Sequence, residues 1–439
     1  MSEQLQNGRR IKTLLDAEVV VGNHLGGGGQ GDVYIVSYNG QSKALKWYKP
    51  NGMGQNRQAF YENLKNNVMK GIPSPEFLWP IDVTEWEEDT FGYIMNLVPD
   101  GYYEMSEYLL MHVRMPSFKV VIDAALHIVS AFRILHNNGY SYQDLNDGNF
   151  FIEPQTGKVF ICDNDNVAPN KTDTGILGKP RYMAPEIVLR KSMPDNLSDR
   201  FSMSLILYRL FCLDHPLEGK RSLVPCLSPE LQEELYGSEA LFMMDPDNTD
   251  NAPDPVIHKN SRVIWPCLPD YIRDLFLKAF SQKSMTTPNA RPKELDWINA
   301  LVRFRSDIVP CSCGNEIFTQ QGKPCKCDRC GRKPAIPFRL EFPEYTVPGI
   351  KGTRIYRCQA GTTNAAEALR PMGRVLAKTD APAVLGLKNL SESSWNAVTT
   401  KGKPKKVMPG DVIPLKDGIK FTVKSSANDT GTEVTIRAN

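Results

Sequence analysis

The stretch Tyr142-Gln143-Asp144-Leu145-Asn146-Asp147-Gly148-Asn149 decides how the rest of the chain is read. An aspartate in this setting can orient an attacking hydroxyl or accept its proton, and an asparagine five residues on can hold a metal on nucleotide phosphates. Upstream, residues 118–136 carry the apolar spacing of a buried amphipathic helix. Lys119, Asp123, His127, Ser130 and Arg133 interrupt it, which excludes a membrane span there. Downstream, the strand-like residues 159–162 run into Asp163-Asn164-Asp165, carboxylates of the hard oxygen type that magnesium takes. The alternative, an Asx-rich hairpin without chemistry, is disfavoured by the order of the neighbouring parts.

Toward the N-terminus, residues 16–48 read as strand, glycine turn, strand and strand. Gly26-Gly27-Gly28-Gly29-Gln30-Gly31-Asp32-Val33 fits G-x-G-x-x-G-x-V. Glycine at these positions lets a hairpin close over phosphates without Cβ obstruction, although four glycines in a row also suit a plain flexible turn. Ala44-Leu45-Lys46 then ends an apolar strand with an ammonium suited to α- and β-phosphates. The helix predicted after Gly54, through Phe60, Leu64 and Val68, has Glu62 as its only acid before Lys70, and so Glu62 is the expected partner of Lys46. Strand-like pieces at 78–83 and 91–98 follow, and beyond Ser117 the pattern is mainly helical. Residues 218–265, rich in Pro, Asp and Asn, read as a long insertion.

Taken in order, the glycine turn, Ala44-Leu45-Lys46, Asp144 with Asn149, Asp163, Ala184-Pro185-Glu186, Ser198-Asp199 and Asn289-Ala290-Arg291-Pro292 make residues 17–305 resemble a eukaryotic-type protein kinase. The resemblance implies an α+β, bilobal protein-kinase fold, with a smaller lobe at 17–98, a larger one at 99–305 and Mg-ATP between them. It implies that Gly26, Gly28, Gly31, Val33 and Ala44 cover the nucleotide, that Met95 backs the adenine pocket, and that Asn96 to Val98 form the adenine hinge. It further implies that Lys46 holds the phosphates with Glu62 as helix partner, that Asp144 is the catalytic aspartate, and that Asn149 and Asp163 hold Mg²⁺ or Mn²⁺. Arg291 is expected to pair with Glu186.

The departures are as informative. Gln143 stands where the family commonly has the arginine that grips an activation-loop phosphate, so gating by that route is not expected. Asn164-Asp165 replaces the usual Phe-Gly, Asn146 replaces a lysine, and Lys179 replaces a threonine; Lys179 is expected to supply the missing charge at the γ-phosphate. The resemblance implies a Ser/Thr kinase, and the competing reading is a nucleotide-binding pseudokinase acting as a scaffold. Thr172 and Thr174 are candidate autophosphorylation positions.

The chain of 439 residues exceeds a kinase-sized unit, and 41% hydrophobic with 23% charged residues fits a packed globular protein. With 52 Lys+Arg against 50 Asp+Glu, there is no overall electrostatic case for nucleic acid or an anionic membrane. The opening MSEQLQNGRR lacks a secretory pattern, and a cytoplasmic location is expected. Of ten cysteines, Cys311, Cys313, Cys325, Cys327 and Cys330 crowd together. Cys162, Cys212, Cys226, Cys267 and Cys358 are scattered and expected as core thiols. Cys311-Ser312-Cys313-Gly314 and Cys327-Asp328-Arg329-Cys330-Gly331 form two knuckles for a structural Cys₄ zinc site in a ribbon at 306–336. The first knuckle is one residue short, and Cys325 could replace a neighbour. Reduced, metal-free thiols are the alternative.

Residues 337–439 alternate apolar and polar at Phe338-Leu340-Phe342, Ile413-Leu415 and Ile419-Phe421-Val423, as a small all-β sandwich does. Gly386 to Ser391 and Pro409 to Gly418 resemble the second half of a forkhead-associated module. Ser393-Ser394-Trp395 departs from its phosphopeptide-reading turn, which favours a docking role. The three-part layout resembles bacterial kinases of tellurium-resistance and stress operons. That resemblance implies a von Willebrand A-type protein and a metal-dependent protein phosphatase as partners.

Overall fold

The structure, a computed structural model, describes residues 4–50, 52–53, 57–172, 178–319, 325–362, 364, 367–424 and 431–439. The chain divides into two compact units, Met1–Pro116 with Ala131–Lys293, and Ser117–Ser130 with Glu294–Asn439.

In the first unit, strands β1 (Arg10–Ile11), β2 (Val19–Gly27), β3 (Gly31–Tyr38), β4 (Gln41–Tyr48), β5 (Asp82–Val83) and β6 (Gly92–Met95) form an antiparallel sheet of order β1-β2-β3-β4-β6-β5. Period-two alternation sorts its side chains. Val19, Val21, Tyr34, Val36, Leu45 and Trp47 build one core, while Ala44, Tyr48, Tyr93 and Met95 build another with Phe60, Tyr61 and Leu64 of helix α1 (Arg57–Lys70). Lys46 lies between Ala44 and Tyr48 in this alternation, and so on the α1 face. The strand expected at 78–83 is confined to Asp82–Val83.

Helices α2 (Met105–Leu109), α3 (Phe118–Asn137), α4 (Pro185–Val188), α5 (Asn196–Cys212), α6 (Pro229–Glu233), α7 (Lys259–Ile264), α8 (Asp270–Ala279) and α9 (Gln282–Thr286) follow, with short strands β7 (Tyr103–Glu104), β8 (Tyr140–Ser141), β9 (Phe150–Ile152), β10 (Val159–Ile161) and β11 (Ala168–Pro169). Helix α5 is buried nearly all round, as a helix through the middle of a core must be. A capping box starts it: Asp195 accepts from the Leu197 and Ser198 amides, and the Ser198 hydroxyl accepts from the Asp195 amide. The segment read as an insertion holds α6 and α7 and buries Leu235, Tyr236, Phe242 and Met243.

The second unit contains α10 (Glu294–Asp307) and the hairpin β12 (Ile308–Pro310) with β13 (Glu316–Phe318). Two antiparallel sheets follow. Strands β14 (Phe338–Glu341), β15 (Thr346–Gly349), β19 (Trp395–Val398), β20 (Pro404–Val407), β22 (Lys420–Val423) and β23 (Thr432–Ala438) form the first, in the order β15-β14-β23-β22-β19-β20. Strands β16 (Arg354–Tyr356), β17 (Pro371–Lys378), β18 (Ala381–Asn389) and β21 (Val412–Pro414) form the second. One apolar cluster draws on both sheets, and it holds the alternating residues Leu340, Phe342, Ile413, Leu415, Ile419, Phe421 and Val423. Of the scattered cysteines, Cys212 and Cys358 are buried and Cys162 half-buried. Cys226 and Cys267 are exposed, contrary to the expectation of core thiols: Cys226 lies in the segment read as an insertion, and Cys267 ends a short 3-10 helix just after it.

Candidate active site

Helix α5 fixes the central loop from below. The buried Asp199 carboxylate accepts the Tyr142 amide at 2.7 Å, the Gln143 amide at 3.2 Å and His136 Nε2 at 3.0 Å. Three donors on one buried acid hold the backbone that carries Asp144. Gln143 has a positive φ of 72° and donates its side-chain amide to the Thr172 carbonyl at 3.0 Å. The residue in the arginine's place therefore ties the loop to the chain after Asp163 with a neutral hydrogen bond. Thr174 lies outside the described residues.

Asp144 sits in a crowded, mostly buried corner. Asn149 donates to its carbonyl at 2.8 Å, and Asn146 accepts from Lys179 Nζ at 2.9 Å while its own amide faces Asp144. The structure thus gathers Asp144, Asn146, Asn149 and Lys179. Burial and then the nearby Asp163 charge push the Asp144 carboxyl above its ordinary value, against the pull of Lys179. Gly178, at φ +90°, passes so close that a Cβ there would stand 3.1 Å from Asp144 Oδ1.

The Cys162 amide donates to the Asn149 carbonyl at 2.8 Å, bringing the next residue, Asp163, beside the loop. Asp163 takes the left-handed conformation (φ 54°) and opens a 3-10 turn over Asn164–Asn166. Asn164, in the position of the family's aromatic residue, is fully buried and donates to the Leu78 and Ile161 carbonyls, both at 2.8 Å. The turn is pinned by polar bonds rather than by an aromatic side chain in a hydrophobic slot.

Lys46 Nζ lies 3.0 Å from Asp163 Oδ1, 2.8 Å from Asp165 Oδ2 and 3.1 Å from Gln30 Oε1. Tyr48 donates to the same Asp165 oxygen at 2.5 Å. Glu62 is not brought to Lys46; it accepts from Gln58 and pairs with Lys65. Sequence reasoning had weighed Asp165 only as a metal ligand and had passed over Gln30 and Tyr48. Tyr48 could have been found as the residue two positions beyond Lys46 on one strand, hence on the same face.

The β2–β3 hairpin closes through the Gly28 amide on the Gly31 carbonyl at 2.8 Å. Gly31 is required by the fold itself, since a Cβ would stand 2.4 Å from the Trp47 carbonyl oxygen. At Gly26, Gly28 and Gly29 a Cβ would meet nothing within 4 Å. Open space above three glycines, a buried ammonium and carboxylates at its tip fit a triphosphate with its cation. Val33 lies beside Lys46 in the β3–β4 register, and Ala44 beside Met95 in the β4–β6 register. Asn96 leaves its backbone at the end of β6, while its side chain accepts from Lys43 at 2.7 Å; Val98 is two residues on and half-buried.

Arg291 and Glu186 pair as expected, and the structure makes the pair bidentate, at 2.7 and 2.6 Å; Arg291 also donates to the Ser284 and Leu197 carbonyls.

In the second unit, the sulfurs of Cys311, Cys313, Cys327 and Cys330 all lie within 4.8 Å of one another. The contacts Cys311–Cys330 at 3.6 Å and Cys313–Cys327 at 3.7 Å match the edge of a tetrahedron with metal–sulfur bonds of about 2.3 Å, which is about 3.8 Å. The knuckles differ by the one residue noted in the sequence: the Cys311 amide reaches the Asn315 carbonyl, and the Cys327 amide reaches the Arg332 carbonyl. Cys325 stands outside the group and donates to the Phe318 carbonyl.

A family model described as the protein kinase domain matches residues 19–251. The chain is 27% identical over 198 residues to a probable cAMP-dependent protein kinase catalytic subunit of Encephalitozoon cuniculi, covering 44% of this chain and 59% of that protein. It is 25% identical over 220 residues to the serine/threonine-protein kinase Nek11 of Macaca fascicularis, covering 48% and 34%. It is 26% identical over 207 residues to the probable serine/threonine-protein kinase MARK-C of Dictyostelium discoideum, covering 45% and 26%. The matches thus span 59% or less of these relatives' lengths. Among solved structures, the PknI kinase domain of Mycobacterium tuberculosis is similar at a TM-score of 0.44 and 19% identity, covering 68% of this chain and 98% of that one.

Proposed function

Because the chain belongs to the protein kinase domain family, we propose that it transfers the γ-phosphoryl group of ATP to a serine or threonine hydroxyl of a protein. The observation that carries this reading is the convergence of Lys46 on Asp163 at 3.0 Å, beside the loop that holds Asp144, Asn149 and Lys179 together. In the reaction the acceptor oxygen forms a bond to the γ-phosphorus, the bond from that phosphorus to the bridging oxygen breaks, and ADP departs. The hydroxyl proton goes to Asp144. A carboxyl held above its ordinary value accepts that proton more readily than an unperturbed one. Asn149 spends its N–H on the Asp144 carbonyl, so its Oδ1 is left to join Asp163 on magnesium or manganese. The metal, when bound, neutralises phosphate charge; Lys46 orients the α- and β-phosphates and Lys179 faces the γ-phosphate.

The scaffold reading draws on one observation, that Lys46 and Glu62 are apart. Incubation with labelled ATP, Mg²⁺ and generic acceptors, beside Asp144→Asn, separates the two: the kinase reading expects label from the wild type and a loss of about a thousandfold in the variant. Equal labelling by both removes the enzyme from consideration.

The finer division follows: a kinase domain at 17–305, a zinc ribbon at 306–336 with Zn²⁺ on Cys311, Cys313, Cys327 and Cys330, and a forkhead-associated-like sandwich at 337–439 that docks partners. The layout extends this to a cytoplasmic role in bacterial stress signalling beside a von Willebrand A-type protein and a metal-dependent phosphatase. Among the described residues no helix is long and apolar enough to cross a membrane.

A further inference from the structure

Resting on the kinase reading, we propose that Asp165 is the residue that positions Lys46 for the triphosphate, from the turn after the metal aspartate, in the place that a helix glutamate was expected to fill.

Lys46 is buried, and a buried ammonium needs a fixed counter-charge. Its two carboxylates are unequal. The Asp163 side chain is 38% exposed, whereas that of Asp165 is fully buried. Lys46 and Tyr48, two apart on β4, reach the same Asp165 oxygen. Burial and the Asp165 charge keep the Tyr48 phenol well above its ordinary value, so it remains a donor. Were Asp163 engaged with a metal, Lys46 would still have Asp165 as a partner.

The turn carrying Asp165 is held on both sides. Asn164 bonds two carbonyls on one side. On the other, Asn63 and Asn67 of α1 both donate to the Val167 carbonyl at 2.8 Å. Asn63 and Asn67 are one helical turn apart and share a face, whereas Glu62 lies about 100° around the helix. With Asn63 and Asn67 on this turn, Glu62 lies off that face, and its hydrogen-bond partners are Gln58 and Lys65 of its own helix. In this arrangement the lysine takes its position from the turn, and rotation of α1 is not needed to assemble the site.

The test uses the full chain, with phosphoryl transfer from ATP and the thermal shift given by ADP with Mg²⁺ or with EDTA. Asp165→Asn is expected to lower kcat about a hundredfold and Tyr48→Phe about fivefold, while Glu62→Gln stays within about twofold of wild type. Asp163→Asn is expected to remove the Mg²⁺ dependence of the ADP shift; Asp165→Asn is expected to keep that dependence while weakening ADP about tenfold. A purely structural role for Asp165 would not separate these two variants. The proposal falls if Glu62→Gln loses as much as Asp165→Asn, or if Asp165→Asn also loses the Mg²⁺ dependence. Should Asp165→Asn fail to fold, Tyr48→Phe decides, and wild-type transfer from it overturns the proposal. If the wild type binds Mg-ADP but transfers nothing, the kinase reading fails alone and the ADP arm still judges Asp165. No Mg-ADP shift in the wild type overturns both.

Discussion

In the first unit a buried cation, Lys46, meets two acids of its own chain at 2.8 and 3.0 Å, whereas in the second unit four thiols crowd within 4.8 Å of one another and the contacts of their sulfurs include one another and the Asn315 amide. The chain neutralises the first group by itself. It gathers the second as ligands whose mutual repulsion, once ionised, calls for a cation from outside. Folding alone completes the first site, while the second offers a donor set that a metal ion could hold.

The widest separation of the two is expected from a zinc chelator. It should strip about one Zn²⁺ per chain and cost the region around Val309, Cys311, Ile317, Cys327 and Ile336 on the order of 10 kcal/mol of binding free energy. Hydrogen exchange over 308–336 should accelerate while exchange in β4 and α5 stays unchanged; uniform exchange with and without chelator would erase the contrast. Next, Arg291→Ala tests self-neutralisation elsewhere in the first unit. It strands Glu186 beside buried carbonyls and is expected to cost about 4 kcal/mol in urea unfolding. A cost under about 1 kcal/mol would mean the pair is no more than a surface bridge.

His215 sharpens the comparison, because burial keeps it neutral although Glu218 Oε1 lies 3.8 Å from its Nδ1. It bonds the Arg181 carbonyl through Nε2 and accepts from the Leu217 amide at Nδ1, and burial lowers it to about 4. Between its ordinary value near 6.5 and about 4 the unfolded chain binds the proton and the folded one does not. Its stabilising contribution is therefore complete above the ordinary value and is lost as pH falls through that window, by about 3 kcal/mol. His215→Gln should flatten that part of the stability profile, and an unchanged acid limb would count against the assignment. The smallest of these effects is expected from Lys179→Met: about a tenfold lower rate of transfer at saturating ATP, with the ATP KM within about twofold. Undiminished transfer would show that Lys179 does not serve the γ-phosphate.

Much of this was legible before any coordinates. Asp144, Asn149, Asp163 and Lys46 are spaced so that a two-lobed fold brings them together, and the period-two pattern of the last hundred residues announces its own core. Glu62 was not legible, because one acid on a helix has a sequence position but no visible azimuth. The azimuth is set by Asn63 and Asn67, polar residues that look like ordinary surface until a carbonyl such as that of Val167 is placed before them. Asp199 has its place in the family order of motifs, while its grip on the Tyr142 and Gln143 amides depends on two segments meeting in space. The burial of Tyr236 and Phe242 within a stretch dominated by Pro, Asp and Asn had no periodic signal to betray it.

The glycine hairpin carries a last consequence. Alanine at 31 would collide with main chain, and so damage there would register in any melting curve. An alanine Cβ at 26 or 28 would meet no atom within 4 Å beyond its own chain neighbours, so no clash would mark it in the apo molecule. A stability screen would pass such variants as silent, and titration with a nucleotide is the measurement in which the added methyl groups would be felt if a guest lies there.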